Sequence, residues 1–242
     1  MASGAFADAI SSDVVGYAQA GLRSGFKAAG AQFNPVAGGQ YDLVNLTVTG
    51  YDKEDGTDGD VSVQTLDATG NMIDQYFWVD VTDGDDVVYG WFDNNGDQVE
   101  AGTVTFAVGD GLWVDAVDNT FGLQSAGSVL SEDYAVVLRA GFKMVANSTP
   151  VAVDLTEITV TGYDADEGTD GDVSVQTLDS TGNMIDQYFW VDVTDGDDVV
   201  YGWFDNNGDQ VEAENVMVEA GAALWVDAAD STFSLVIPGV DL

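Results

Sequence analysis

The chain has 242 residues, of which 45% are apolar and 11% aromatic, so it has enough material for folded cores. It carries 43 acidic residues against 5 basic ones, for a formal net charge of -38. Such a surface repels phosphate backbones and anionic lipid headgroups, which excludes nucleic acids and membrane surfaces and makes cations the expected partners. The chain lacks cysteine and histidine, and this excludes disulfides, thiolate metal sites and histidine-based chemistry.

The chain begins with an arm, residues 1–12, that has no counterpart in its second half. Within the arm, Ala5, Phe6 and Ala7 fit the small-x-small pattern that precedes signal-peptidase cleavage. No charged or apolar region stands before this motif, so it is either the remnant of an export signal or a chance match. A free terminal segment frays unless something holds it. We therefore expect this segment, including Ile10, to contact its own domain or a neighbouring subunit. No apolar run approaches the roughly 18 residues needed to span a bilayer, so no membrane insertion is expected.

The rest of the chain is a tandem duplication. Residues 56–101 align with residues 168–213 at an offset of 112, and only Ala68 against Ser180 differs. Nearer the start of each copy the offset is 116, because the first copy has extra residues in a loop that contains Pro35. The chain therefore holds two repeats of one domain.

Within each repeat, apolar residues alternate with polar ones and short runs end at Gly, Asp or Asn, which is typical of strands and turns. Of the acidic residues 35 are Asp, which favours turns over helix interiors. We predict no helix of any length, and strands in the first repeat near residues 14–20, 26–33, 43–51, 61–66, 74–81, 87–92, 103–108, 112–116 and 120–124. The predicted fold class is all-β, with two tandem β-sandwich or jelly-roll-like domains at residues 13–127 and 128–242.

Several short motifs lie along the first repeat: Asp13-Val14-Val15-Gly16-Tyr17 shortly after Ala5-Phe6-Ala7, then residues 22–27, 61–67, 111–114 and 123–127. Together they resemble a group of secreted, uncharacterised bacterial tandem-repeat β proteins. The second repeat departs from this pattern at its start and at its end. The resemblance implies export and β-structure, and it implies nothing about a substrate.

The best candidate metal motif is the turn at residues 93–97, which recurs at residues 205–209. Oxygen-bearing side chains at its first, third and fifth positions match the opening of a Ca²⁺ loop. The glycine comes too early for that loop, however, and a valine stands where the bidentate Glu belongs. Asn-Gly between two strands also favours a plain hairpin turn. The candidate ligands are Asp93, Asn95, Asp97, Asp205, Asn207 and Asp209.

The aromatic residues offer a second candidate site. Strand alternation sends Phe77 to one face and Tyr76 and Trp78 to the other, so one of these sets is expected outside the core. Exposed aromatics would bind sugar rings by stacking, and this makes Tyr76, Trp78, Tyr188 and Trp190 candidate glycan-binding residues. Large aromatics are more often found in a core or an interface, which is the competing interpretation.

Four of the five basic residues form two equivalent pairs, Arg23 with Lys27 and Arg139 with Lys143. Each pair either neutralises a nearby carboxylate, which contributes little if exposed, or docks on an acidic surface of the next domain or subunit. Both interpretations stay open.

No catalytic signature accompanies the repeat, so no enzyme is expected. Two carboxylates can hydrolyse a glycoside, but 43 of them give no basis for choosing a pair. We expect an extracellular or cell-surface structural protein that assembles with copies of itself into a filament or surface-layer-type array. The arm would act as a donor strand on a neighbour's sheet edge, and similar domains would stack head to tail. The alternative is an extracellular carbohydrate-binding or adhesive module.

Overall fold

A computed structural model describes residues 15–32, 40–51, 58–83, 86–163, 170–179, 181, 183–195 and 198–240. Within these residues the first repeat has ten strands: β1 (Val15–Gly21), β2 (Gly25–Gly30), β3 (Gln40–Asp42), β4 (Thr47–Thr49), β5 (Asp58–Leu66), β6 (Met72–Asp83), β7 (Asp86–Asp93), β8 (Thr105–Ala107), β9 (Gly111–Ala116) and β10 (Gly122–Ser128).

The second repeat contains the same ten strands in the same order: β11 (Tyr134–Val137), β12 (Gly141–Ala146), β13 (Val153–Asp154), β14 (Thr159–Thr161), β15 (Asp170–Leu178), β16 (Met184–Asp195), β17 (Asp198–Asp205), β18 (Met217–Val218), β19 (Ala223–Ala228) and β20 (Ser234–Ile237). The described residues contain no α-helix, and thus no helix there could cross a membrane. The prediction of an all-β chain is confirmed.

The described strands of each repeat form three antiparallel sheets. In the first repeat these are a five-stranded sheet in the order β2-β9-β5-β6-β7, a three-stranded sheet in the order β1-β10-β4, and the pair β3-β8. The second repeat has the equivalent sheets β12-β19-β15-β16-β17, β11-β20-β14 and β13-β18. In both, β6 and β7 or their counterparts form a long hairpin at one edge of the five-stranded sheet.

One predicted strand is shorter than expected. Residues 43–51 contain only β4, because a 3-10 turn occupies Leu43–Asn45. The carboxylate of Asp42 accepts a hydrogen bond from the Val44 amide and so caps this turn. Asp154 caps the equivalent turn, Leu155–Glu157, through the Thr156 amide.

Each repeat has its own hydrophobic core, to which both larger sheets contribute. In the first repeat, Val48 and Leu123 of the three-stranded sheet join Val63, Trp91 and Val114 of the five-stranded sheet in one buried cluster. The second repeat has the equivalent cluster. A tryptophan anchors each core, because the Trp91 Nε1–H donates to the Leu46 carbonyl oxygen at 2.8 Å and the buried Trp203 Nε1–H donates to that of Ile158 at 2.7 Å.

Candidate functional site

The predicted metal motif is a self-contained hairpin turn. The Asp93 carboxylate accepts hydrogen bonds from the backbone amides of Asn95 and Asp97, at 2.8 and 2.9 Å, and from the Asn95 side-chain amide at 3.1 Å. These bonds, that from the Asp97 amide first, lower the pKa of Asp93. The carboxylate oxygens thus close the turn instead of converging on a cation, because neighbouring backbone amides reach them first.

The second copy of this motif has the same arrangement, with Asp205 accepting from Asn207 and Asp209. Among the described residues there is no group of three or more acidic side chains that could hold a metal ion. The hydrogen bonding of both turns favours plain hairpin turns, and Ca²⁺ binding at them stays a prediction.

The predicted glycan platform is corrected at its two tryptophans. Trp78 and Trp190 are only 6% and 5% exposed and belong to the two cores. Each packs edge-on against the other core tryptophan of its repeat, with ring centroids 5.3 and 5.2 Å apart. Tyr76 and Tyr188 are half-buried against the same cores. The two tryptophans are therefore too buried to stack flat on a sugar ring. Tyr188 remains partly exposed, and with the edge of Trp190 it lines an open groove of about 1120 Å³ in the second repeat.

The arm lies outside the described residues, and with it the candidate assembly residues Ala5, Phe6, Ala7 and Ile10.

The basic pairs lie between the two repeats. The Arg23 Nη2–H donates to the Leu178 carbonyl oxygen of the second repeat, and the Arg139 Nη2–H donates to the Leu66 carbonyl oxygen of the first, both at 2.9 Å. Each arginine also donates from Nε to a carbonyl of its own repeat, at 3.0 Å for Arg23 and 2.8 Å for Arg139. The arginines thus reach neutral carbonyl groups of the other repeat and not an acidic surface.

These two contacts are equivalent by sequence, and other contacts between the repeats come in equivalent pairs too. The Gly30 amide donates to the Gly221 carbonyl oxygen at 3.0 Å, while the Ala146 amide donates to that of Gly109 at 2.7 Å. Isolated β-bridges likewise join Ala29 to Ala222 and Val145 to Asp110. When residue i of one copy meets residue j of the other and the reverse also holds, the interface is isologous, with an approximate two-fold axis.

Aromatic rings lie on this axis. Trp113 and its counterpart Trp225 pack edge to face with centroids 5.8 Å apart. Phe26 stacks on the first tryptophan and Phe142 packs on the second, each at 5.2 Å. The five-stranded sheets of the two repeats therefore meet through aromatic contacts flanked by paired hydrogen bonds. This two-fold pairing joins the repeats of one chain, and head-to-tail stacking between subunits stays a prediction.

The lysines of the basic pairs break the symmetry. The Lys143 ammonium lies 2.9 Å from a carboxylate oxygen of Asp110 in the first repeat. The residue equivalent to Asp110 in the second repeat is Ala222, so Lys27 has no such partner there. Burial, followed by the nearby Arg23 charge, lowers the pKa of Lys27, although Glu219 opposes the shift.

The long hairpins β6–β7 and β16–β17 carry an apolar face that points away from the cores. Across the first hairpin, Phe77 lies opposite Phe92 and Val81 lies opposite Val88. Both valines are 39% exposed and both phenylalanines are half-buried. We call the set Phe77, Val79, Val81, Val88 and Phe92 and its counterpart Phe189, Val191, Val193, Val200 and Phe204 the outer stripes.

In the second repeat the outer stripe lines a groove of about 480 Å³ that the turn at Asn206 and Gly208 helps to form. Contiguous exposed apolar surface on a soluble protein commonly marks an interaction site. Strand alternation already separates Phe77 from Trp78, so the sequence contains a signal for this surface. The sequence does not show which face of the strand packs against the core.

The last strand of each hairpin also has an outer edge whose backbone groups are only partly paired. In the described part of the chain, β7 pairs with a strand only on its β6 side. Near the end of β7 the outer side is covered, since the Asp93 backbone amide donates to the Asp97 carbonyl and the Trp91 carbonyl accepts from the Val99 amide. Because backbone groups alternate along an antiparallel strand, those of Val87 and Tyr89 also point outward. The edges of β7 and β17 are thus places where another strand could pair.

Two acidic residues, Asp67 and Asp179, follow the Leu66 and Leu178 carbonyl groups that the arginines contact, and so lie in turns beside the interface between the repeats. The Thr69 hydroxyl, followed by the Asn71 backbone amide, lowers the pKa of Asp67 to about 2. The equivalent hydrogen bonds from Thr181 and Asn183 lower the pKa of Asp179 to about 2. These carboxylates are fully ionised near neutral pH and add negative charge beside the interface between the repeats.

Comparison with known protein families, with curated proteins and with solved structures finds no match for this chain. Function is therefore inferred from the two-fold interface, the outer stripes and the open strand edges.

Proposed function

We propose that the protein is an extracellular or cell-surface structural subunit that assembles with copies of itself into a filament or surface-layer-type array. The single observation that carries this proposal is the presence of two equivalent attachment surfaces. Each repeat presents an outer stripe and an open edge, on β7 in the first repeat and on β17 in the second. A rigid subunit with two equal attachment surfaces can be extended at both ends, and this gives a linear assembly.

Sequence conservation between the repeats supports the same surfaces. Residues 56–101 and 168–213, which include both hairpins, differ at a single position. The strands that meet at the two-fold interface have diverged further, as Ala28 against Met144 and Asp110 against Ala222 illustrate. Equal surfaces suit equal partners, so both hairpins would bind the same kind of neighbour.

For the attachment itself we propose donor-strand pairing. Residues 1–12 of one subunit would pair with the open edge of a hairpin on the next, where the outward backbone groups of Val87 and Tyr89 would gain partners. Such pairing satisfies strand edges and links subunits without cysteines. The resemblance of the Ala5-Phe6-Ala7 region to secreted repeat proteins supports the extracellular location.

Cations are the second proposed component. Subunits that each carry a formal charge of -38 repel one another at low ionic strength. Assembly would therefore need counterions, and Ca²⁺ or a monovalent salt could supply them by diffuse screening. This role requires no dedicated metal site.

Each repeat is proposed to form one domain, with boundaries at residues 13–127 and 128–242, because each buried cluster draws on both larger sheets of a single repeat. The arrangement of the four larger sheets suggests four propeller-like blades rather than the two sandwiches expected from the sequence. No enzymatic activity is proposed.

The test compares assembly of three chains by light scattering and negative-stain imaging, over a range of salt concentrations. The wild-type chain is expected to form polymers as ionic strength rises. Val88→Glu with Val200→Glu places a charge on each outer stripe and should abolish them. The matched control is Val117→Glu with Val137→Glu, because these exposed valines lie off the stripes and the change in net charge is the same.

The arm has its own test. Phe6→Asp with Ile10→Asp in the full-length chain should prevent assembly while leaving the melting temperature unchanged. A wild-type protein that stays monomeric at every salt concentration would refute self-assembly. Polymers that survive the arm substitutions would instead refute only donor-strand pairing.

A further inference from the structure

At the centre of the two-fold interface, residues meet their own counterparts from the other repeat. Besides Trp113 and Trp225, two such pairs are made of small residues. A methyl group at Gly30 would lie 2.4 Å from the Cβ of Ala146, and a methyl group at Gly111 would lie 2.8 Å from the Cβ of Ala223. Real Cβ atoms essentially never approach so closely.

In both small pairs the first repeat supplies the glycine and the second supplies the alanine. The backbones cannot simply move apart, because the Gly30 amide donates to Gly221 and the Ala146 amide donates to Gly109. The hydrogen bonds therefore set the spacing at the very residues whose side chains would collide. At this spacing the Gly30 pair has room for one methyl group and not for two.

We propose that this interface is selective for unlike repeats: a first-repeat face accepts a second-repeat face, and two faces of the same kind do not pair. Two second-repeat faces would bring alanine against alanine at both pairs. Two first-repeat faces would bring glycine against glycine and leave voids where methyl groups now pack. The partner that fits each face is the unlike repeat, of the same chain or of a second copy.

This selectivity has a consequence for assembly. The repeats are so similar that their faces could otherwise pair in like combinations between chains, and such contacts would compete with the pairing inside each chain. The glycine–alanine pairs remove that competition by steric exclusion. The inference concerns the inner faces and stands independently of the outer stripes.

Full-length chains can mimic each combination at the Gly30 pair. Gly30→Ala places alanine against alanine, as two second-repeat faces would, and should lower the melting temperature by roughly 5 °C, since overpacking a buried contact is destabilising. Ala146→Gly places glycine against glycine and should lower it less. The double variant Gly30→Ala with Ala146→Gly has one methyl group again and the wild-type composition. It should recover at least half of the loss, although the new methyl group lies 3.0 Å from the Asp110 carbonyl oxygen.

Hydrogen exchange locates the effect. In the Gly30→Ala chain the amides of residues 30 and 146 should exchange faster, because their bonds cross the interface, and the double variant should slow them again. The control is Gly21→Ala in β1, where the added methyl group meets no atom within 4 Å. It should leave both the melting temperature and the exchange unchanged.

A Gly30→Ala chain within about 1 °C of the wild-type melting temperature would overturn the proposal, because the interface would then tolerate two alanines. A double variant as unstable as Gly30→Ala would also overturn it, since the collision would then involve another atom. Unchanged exchange at both amides would place the destabilisation elsewhere and have the same result. If the Gly30→Ala chain does not fold, restored folding of the double variant supports the proposal and continued failure refutes it.

Discussion

Replacing Arg139 by alanine tests whether the basic pairs act through hydrogen bonds or through charge. The guanidinium donates to the Leu66 carbonyl at 2.9 Å and to the Phe142 carbonyl at 2.8 Å. Hydrogen bonds from a charged donor contribute about 1.5 kcal/mol each, so Arg139→Ala should lower the free energy of unfolding by about 3 kcal/mol. For a chain of this size that corresponds to a fall of about 9 °C in the melting temperature. Arg23→Ala should have the same effect, because Arg23 makes the equivalent bonds at 2.9 and 3.0 Å.

The assay is urea unfolding at low and high salt. Because both acceptors are neutral carbonyls, the deficit of the Arg139→Ala chain should be the same at about 0.05 and about 0.5 M NaCl. Arg139→Lys keeps the charge but loses the planar fork, so it should recover less than half of the deficit. The reasoning is wrong if salt halves the deficit, or if the lysine variant matches the wild type, since either result would mean that attraction to acidic residues holds the repeats together.

Three further predictions follow from the cores and the turns. Trp203→Phe should lower the free energy of unfolding by about 2 kcal/mol, because the buried Ile158 carbonyl loses its hydrogen-bond donor. Trp91→Phe should lower it by the same amount, because the Leu46 carbonyl loses its donor. Urea unfolding measures both, and no loss would mean that these carbonyls find other donors. The pKa of Asp67 and of Asp179 is about 2 in the folded chain against 3.8 ordinarily, so the unfolded chain binds more protons between these values. The stability that these carboxylates contribute should be complete above about pH 4 and lost as the pH falls towards 2. In the double variant Asp67→Asn with Asp179→Asn, the urea midpoint should therefore depend less on pH between about 2 and 4. An equally steep loss of stability in acid would refute this assignment. Asp93→Asn with Asp205→Asn should leave the Ca²⁺ dependence of the melting temperature unchanged, because these carboxylates close turns; a Ca²⁺ response that the substitutions remove would restore the metal interpretation.

Local pattern was sufficient to place nine of the ten strands described in the first repeat, because period-two alternation and turn residues act within a few positions, and it missed the short strand β3. The strand predicted at residues 87–92 is observed as Asp86–Asp93, and that predicted at 112–116 as Gly111–Ala116. The prediction failed at Leu43–Asn45, where apolar residues sit in a 3-10 turn. The apolar pattern there favours a strand, but the hydrogen bond from the Val44 amide to the Asp42 carboxylate stabilises the turn instead.

The candidate sites were harder to predict because they depend on what each face meets. Alternation shows that Phe77 and Trp78 point in opposite directions, but it is symmetric with respect to the two faces of a strand. The second layer of the core, which includes Leu46 and Val48, decides that Trp78 is inside and Phe77 outside. The Asp93 turn was similarly ambiguous, since the same oxygens suit a cation and the backbone amides two and four residues on.

The sequence by itself determined the duplication, the β-structure and the negative charge, because each of these is a property of composition or of neighbouring residues. Only the tertiary structure decided how the two repeats meet. The contacts that join them, such as Arg139 with Leu66 and Gly30 with Ala146, link residues far apart in the chain. Two copies of one sequence can pair head to tail or about a two-fold axis, and local pattern is the same in both. Shape and hydrogen bonding between the facing sheets select the two-fold pairing, and the long hairpin of each repeat lies at the opposite edge of its five-stranded sheet.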